Sequence, residues 1–348
     1  MRWSGELKVA FQSLTATCEC RDPGLKRDFE VWIAVKDCGA CDRLPQCLLL
    51  DGMNTRGAGL KLNFVAKLTT AGMLLALASP VWHASTQTTQ GGLGTSPVVS
   101  IAGAPPGTET LAVQWVKVAV PGLGVMLAAV ARPPGPGPFP TVVLLHGSHG
   151  FAQEYVRLAQ DLAGGGLLAV AACWFQGSGG SGSRFITPID CPEAPPMPNS
   201  LSPEAMQTVD ALAQVARTLP GARPDRIGLF GHSRGGAAAL NHILRVGNVQ
   251  AAVLNSAGYP SQLAALSSQL KVPILMLHGT ADSPDDGGAA VTNVQMARDF
   301  EATLRAAGKP VEAVYYEGGR HNDIFSSSTQ YRDEVQRMLA FLLRHLRN

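Results

Sequence analysis

Residues 228–240 read GLFGHSRGGAAAL, and the reading of this stretch decides the fold. The run Ile227–Phe230 lacks polar alternation, as expected of a strand buried on both faces. Gly235–Leu240 is a small-residue run that reads as the start of a helix. Between them stands a single serine in Gly231-His232-Ser233-Arg234-Gly235, a G-x-S-x-G pattern. On so sharp a strand-to-helix turn the serine adopts strained backbone angles. Small residues two positions to either side let strand and helix close around it. The helix start also directs its dipole and unpaired N–H groups at any negative charge that develops there. Gly- and Ser-rich chains produce this pattern by chance, so the surrounding elements carry the argument.

On the N-terminal side, LAVQWVKVAV and VMLAAVA flank Pro121-Gly122-Leu123-Gly124 and predict an antiparallel pair at a sheet edge. TVVLLHG follows as a buried strand, then a helix over about 152–163, then the strand LLAVAACWF. Residues 176–200 alternate Gly/Ser with Pro and predict a long loop on the active-site side. Ser202-Pro203-Glu204 places an N-cap, a first-turn proline and an acid in helix-starting order. After Ser233 come the strands AAVLNSAG and PILMLHG, a helix in VTNVQMARDFEATLRAAG, the strand VEAVYYEG and a helix over about 329–346. The pattern predicts an α/β fold: a mostly parallel central sheet with an antiparallel edge pair and helices on both faces.

A serine hydroxyl needs a base to take its proton, and the base needs an acid to hold its tautomer. In this fold class the chain order is Ser, then Asp or Glu, then His. PILMLHG ends in Thr280-Ala281-Asp282 and VEAVYYEG ends in Gly319-Arg320-His321, both just past strand ends where parallel sheets place their sites. Ser233 is therefore read as nucleophile, His321 as general base and Asp282 as its orienting acid. Asp285 and Asp286 are the competing acids, while Asp323 reads as a loop-surface carboxylate. His278 reads as a packed, hydrogen-bonded residue, His146 as a structural loop residue, and His232 as packing behind the nucleophile. His242 and His345 lie on predicted helices and read as structural or surface residues. Oxyanion donors are expected from the N–H of Arg234 and from the His146-Gly147-Ser148-His149-Gly150 loop, with Ser148 first and His149 second. His149, Trp174 and Phe175 are candidates for a substrate pocket; ordinary core is the alternative for the two aromatics.

The set LLHGSHG, GLFGHSRGG, LMLHGTAD and GGRHND, in that order, resembles the α/β-hydrolases, most of all the dienelactone-hydrolase and prolyl-oligopeptidase-like branch. The resemblance covers about 111–348. Dienelactone hydrolases use a cysteine nucleophile, so Ser233 argues for a serine carboxylesterase over lactone specificity. G-H-S-x-G-G also resembles secreted polyester hydrolases and cutinase-like lipases, which keeps a polymer or lipid ester in view. Prolyl-oligopeptidase relatives cut peptides, but usually with an added N-terminal domain for which 79–110 is too short. A non-catalytic ligand-binding scaffold of this fold is the alternative of another class, and such scaffolds typically lack a triad member. The resemblance implies no metal and no organic cofactor.

The 348 residues are 46% hydrophobic and 16% charged, which suits a sizeable core. A formal net charge of +2 without a long basic block gives nucleic-acid binding little support. From Met53 the chain carries Arg56, Lys61 and Lys67, the apolar run LTTAGMLLALASPV and then small residues, the layout of a secretory signal peptide. The run is short for a membrane span. The expected organisation is a mis-called or disordered extension over 1–52, a signal peptide over 53–84, a linker over 85–110 and the catalytic domain over 111–348, secreted or periplasmic. A buried core helix behind an N-terminal domain is the alternative. Cys18, Cys20, Cys38, Cys41 and Cys47 fall in the extension, where Cys18-Glu19-Cys20 has the wrong spacing for a common zinc module. A mature chain keeps Cys173 and Cys191, and an oxidising compartment makes a bridge between them plausible.

Overall fold

The computed structural model describes residues 96–177, 185–284 and 288–347, together with the backbone of two N-terminal strands. Those two, β1 (Ala10–Thr17) and β2 (Asp28–Val35), pair antiparallel from Ala10↔Val35 to Thr17↔Asp28 and belong to a separate unit. The leader-like segment 53–84 and the five N-terminal cysteines lie outside the described residues. Among the described residues no helix is long and apolar enough to cross a membrane.

The second unit is built on a nine-stranded sheet. Its strands are β3 (Val98–Ile101), β4 (Gln114–Val120), β5 (Gly124–Ala131), β6 (Phe139–Leu145), β7 (Leu168–Ala172), β8 (Ala222–His232), β9 (Ala251–Asn255), β10 (Ile274–Gly279) and β11 (Val311–Tyr316). Their spatial order is β11-β10-β9-β8-β6-β7-β5-β4-β3. From β11 to β7 every pairing is parallel; β5, β4 and β3 add on antiparallel. The helices are α1 (Gln153–Gly164), α2 (Pro203–Thr218), α3 (Arg234–Arg245), α4 (Ser261–Ala264), α5 (Val294–Ala306), α6 (Asp323–Ser326) and α7 (Ser328–Leu346). This is the α/β-hydrolase arrangement that the motif order predicts.

The uninterrupted apolar strands make sense once both faces are seen to be covered. Adjacent side chains along a strand point to opposite faces. Leu144, Phe230, Val253 and Leu277 meet α1 and α7 through Tyr155, Leu158, Phe341 and Leu342. Their neighbours Val143, Leu229, Leu254 and Met276 meet α2, α3 and α5 through Leu212, Ile243, Phe300 and Leu304. The start of α2 is as its sequence predicts, with Pro203 in the first turn and Ser202 Oγ accepting from Ala205 N–H at 3.2 Å.

One stretch departs from the expected organisation. The segment read as a linker over 85–110 contributes β3, which pairs antiparallel with β4 from Val98↔Ala119 to Ile101↔Val116. The expected edge pair is thus three strands. Only three of its four residues, Val98, Val99 and Ile101, carry β preference, and the flanking Gly and Pro hide so short a run.

Candidate active site

Four strand ends converge at the carboxyl edge of the sheet. β6 leads into His146–Gly150, β8 into Ser233, β10 into Asp282, and β11 into His321. Ser233 has φ 53° and ψ −115°, a backbone conformation L residues rarely adopt and one that costs on the order of 1–3 kcal/mol. The flanking glycines make this turn possible. A Cβ at Gly231 would fall on the Gly235 carbonyl, and one at Gly235 would fall on the Leu145 carbonyl. The Ser233 N–H is held by the Asn255 carbonyl at 2.9 Å.

His321 joins the serine to the acid. Its Nε2 lies 2.9 Å from Ser233 Oγ and its Nδ1 lies 2.8 Å from Asp282 Oδ2. A carboxylate accepts only, so Nδ1 carries the proton and Nε2 is left to accept from the serine hydroxyl. Asp282 is buried, and His278 Nε2 approaches the same Oδ2 at 3.1 Å. Thr292 Oγ1 donates to Oδ1 at 3.3 Å. Burial pushes the Asp282 carboxyl upward, but hydrogen bonds from His278 and His321 outweigh it and hold the group below its ordinary value.

The His146–Gly150 turn lies against Ser233: a Cβ on Gly147 would come 3.2 Å from Ser233 Cβ. Arg234 Nε donates to Ser148 Oγ at 3.1 Å, and its Nη1 donates to the Pro198 carbonyl at 2.8 Å. One guanidinium thus ties the elbow to both neighbouring loops. As the first residue of α3, Arg234 has an N–H without a partner inside its own helix.

A serine, a buried acid and a histidine at successive strand ends, in that chain order, bring the comparison with known proteins to a point. The sequence model of the dienelactone hydrolase family matches residues 126–341. The chain belongs to that family.

The solved structures similar to this dienelactone hydrolase family member span several activities. A Klebsiella pneumoniae protein assigned as a dienelactone hydrolase matches at TM-score 0.50 and 23% identity, covering 63% of this chain and 93% of its own. A Pyrococcus furiosus esterase matches at TM-score 0.51 and 15% identity, over 72% of this chain and 99% of the esterase. The acylaminoacyl peptidase of Pyrococcus horikoshii matches at TM-score 0.53 and 15% identity; the match takes in 67% of this chain and only 42% of the peptidase. At these identities the likeness is one of fold. No curated protein sequence matches the chain.

Several candidate residues of this family member take places that their sequence context does not announce. Trp174 and Phe175 are wholly buried, so neither lines an open pocket. Trp174 Nε1 donates to the His146 carbonyl at 2.9 Å and the Phe175 ring packs tilted against His146 with centroids 4.5 Å apart, so the pair supports the loop from beneath. His149 faces Tyr155, whose hydroxyl lies 2.9 Å from His149 Nε2 and accepts from the Gly147 N–H at 2.9 Å. Burial, then the neighbouring His232, His146 and His321, pushes His149 down to about 2, which keeps it neutral at working pH. Cys173 and Cys191 form a disulfide with a Cα–Cα separation of 6.6 Å, pinning the proline-rich loop to the end of β7. A cavity of about 260 Å³ opens between that loop and the His149 turn, lined in part by His149, Gln176, Ile189 and Asp190. Asp285 and Asp286 lie outside the described residues. Asp323 starts α6 and accepts from the Arg320 N–H at 2.9 Å. His242, buried on α3, faces Asp210 at 3.4 Å, and His345 packs on Phe341 within α7. Among the described residues no group of three or more His, Cys, Asp or Glu is placed to hold a metal ion.

Behind the serine lies a polar chain that sequence reasoning missed. His232 Nδ1 lies 2.7 Å from Asn255 Oδ1, and Asn255 Nδ2 donates to Glu334 Oε2 at 2.6 Å. Glu334, on α7, is fully buried and accepts at Oε1 from Gln330 Nε2 at 2.8 Å. Burial raises its carboxyl to about 8, with the Gln330 hydrogen bond opposing and the negative charges of Asp333 and Asp323 adding. Tyr316, on β11, is the further titratable group whose charge couples to it. The folded chain thus keeps this proton up to about pH 8, whereas the unfolded chain releases it near the ordinary value of 4.5. In that window the folded state binds more protons, so the Glu334 contribution to stability falls as pH rises. Glu334→Gln should flatten this fall: in thermal melts from pH 5 to 8 its Tm should drop less than that of the wild type and lie above it at pH 8. Parallel melting curves for the two proteins would contradict the assignment.

Proposed function

We propose that this protein is a serine hydrolase of carboxylic esters that works through an acyl-enzyme. The observation that carries the reading is the series Ser233–His321–Asp282, hydrogen-bonded at 2.9 and 2.8 Å with the serine on a strained elbow. In the proposed reaction His321 Nε2 takes the Ser233 proton as Oγ attacks the ester carbonyl. The N–H groups of Arg234 and Ser148 receive the oxyanion. Collapse breaks the acyl–oxygen bond, and His321 returns its proton to the departing alcohol. Water then attacks the acyl-enzyme with His321 again as base, releasing the acid and restoring Ser233. No step needs a cofactor or a metal. The substrate is a small-molecule or polymeric ester, with nucleic acid and stable membrane insertion outside the proposal. The Cys173–Cys191 bridge favours an oxidising compartment, so export through the segment 53–84 is part of the reading.

Hydrolysis of p-nitrophenyl esters from acetyl to palmitoyl tests it. The expected result is turnover that falls steeply beyond short acyl chains. Retained activity on long chains would move the reading to a lipase or polyester hydrolase. If no ester is turned over, peptide substrates come next, followed by the ligand-binding scaffold.

A further inference from the structure

Asn255 is the junction of two systems. Its backbone carbonyl holds the Ser233 N–H at 2.9 Å, and its side chain bridges His232 and Glu334. Protonated Glu334 carries its proton on Oε1, where a half-turn of the Gln330 amide at 2.8 Å supplies the acceptor. Oε2 then accepts the Asn255 amide N–H at 2.6 Å, which leaves the amide oxygen to accept from His232 Nδ1. Burial, then the neighbouring His321, pushes His232 down to about 3, so its imidazole is neutral with a single N–H and Nε2 becomes an acceptor. Asn322 Oδ1 lies 3.1 Å from that nitrogen, and a half-turn of the amide puts its N–H there in place of the oxygen. Asn322 directly follows His321, whose ring centroid lies 5.3 Å from that of His232. Glu334, Asn255 and His232 are all buried, so no bulk water competes for these groups. The chain therefore runs from α7 through the end of β9 to both the nucleophile turn and the loop that carries the base.

We propose that Glu334, acting through Asn255, is a positioning residue for the reacting pair: it sets the His232 tautomer and with it the placement of Ser233 and the His321–Asn322 loop. This deepens the ester-hydrolase reading of the same site and rests on it. An apolar residue at 334 leaves the Asn255 amide free to turn, and both carriers of the reaction lose a fixed support. Displacements of about 1 Å cost on the order of a hundredfold in rate even when substrate still binds.

The test compares Glu334→Leu, Glu334→Gln and Asn255→Ala with the wild type in the full chain, with active enzyme counted by fluorophosphonate titration. We expect kcat per titrated site to fall about tenfold to a hundredfold in Glu334→Leu and Asn255→Ala, with KM little changed. Glu334→Gln, which keeps an acceptor for the Asn255 amide, should restore most of kcat. Imidazole nitrogen NMR should show His232 as the Nδ1–H tautomer in the wild type and in Glu334→Gln, and a mixture of tautomers in Glu334→Leu. A Glu334→Leu protein that is merely less stable, with kcat and the His232 tautomer unchanged, would overturn the proposal. If Glu334→Leu does not fold, Asn255→Ala breaks the same chain and is read in the same way. Absence of serine-dependent turnover in the wild type would instead sink the ester reading, and the NMR comparison would still decide the positioning role.

Discussion

Replacing Ser233 by alanine is expected to reduce kcat on any ester by about a millionfold and to abolish labelling by a fluorophosphonate. The size follows from the geometry. His321 Nε2 points at Oγ from 2.9 Å, and with the hydroxyl gone the base activates nothing that can form an acyl-enzyme. Water in the vacated space could still be polarised by the oxyanion donors, which sets a low residual rate. Alanine keeps the Cβ, so the φ of 53° and the packing around Gly231 and Gly235 persist. Tm should therefore move little, which separates lost chemistry from lost fold. A Ser233→Ala protein retaining more than about one percent of turnover would place the nucleophile elsewhere.

Asp282→Asn is expected to lower kcat by about four orders of magnitude with a modest change in KM. The carboxylate accepts at Oδ2 from His321 Nδ1 at 2.8 Å, and His278 Nε2, which donates to the Thr292 carbonyl at 2.7 Å, lies 3.1 Å from the same oxygen. An asparagine offers one acceptor oxygen and one NH2 group. If the NH2 faces His321, the ring must present a bare Nδ1 and carry its proton on Nε2, where it can no longer accept from Ser233. The acid side of the stability profile should shift as well. Asp282 is held below its ordinary value, so its contribution is present above that value and is lost as pH falls through the folded pKa. Asparagine removes that loss, and acid unfolding of the variant should depend less steeply on pH. A variant with near-normal turnover would transfer the acid role, with Asp285 and Asp286 next in line.

The legible parts of this protein share one physical property: their signal is local. An uninterrupted apolar strand, a serine between glycines and a helix of small residues describe the elbow within one window. The reason, close backbone approach of Gly231 and Gly235, is itself local. The order of strand ends likewise points to Asp282 and His321, because a parallel sheet gathers its carboxyl ends on one edge. The support behind the site left no such mark. Glu334 stands 79 residues from Asn255, in a helix whose one other acid is the partly exposed Asp333. Only burial distinguishes it from Asp333 beside it.

The sequence by itself thus determined the fold class, the elbow and the chain order of the three candidate reacting residues, since each is a matter of period, turn chemistry and sequence order. Tertiary structure alone decided the rest. It closed Trp174 and Phe175 into the core, turned four residues of an expected linker into an edge strand, bound Arg234 to Ser148, and placed a buried carboxyl behind the Ser233 turn. Each of these depends on which distant side chain fills the space or satisfies the polar atom, and that is settled when the layers pack.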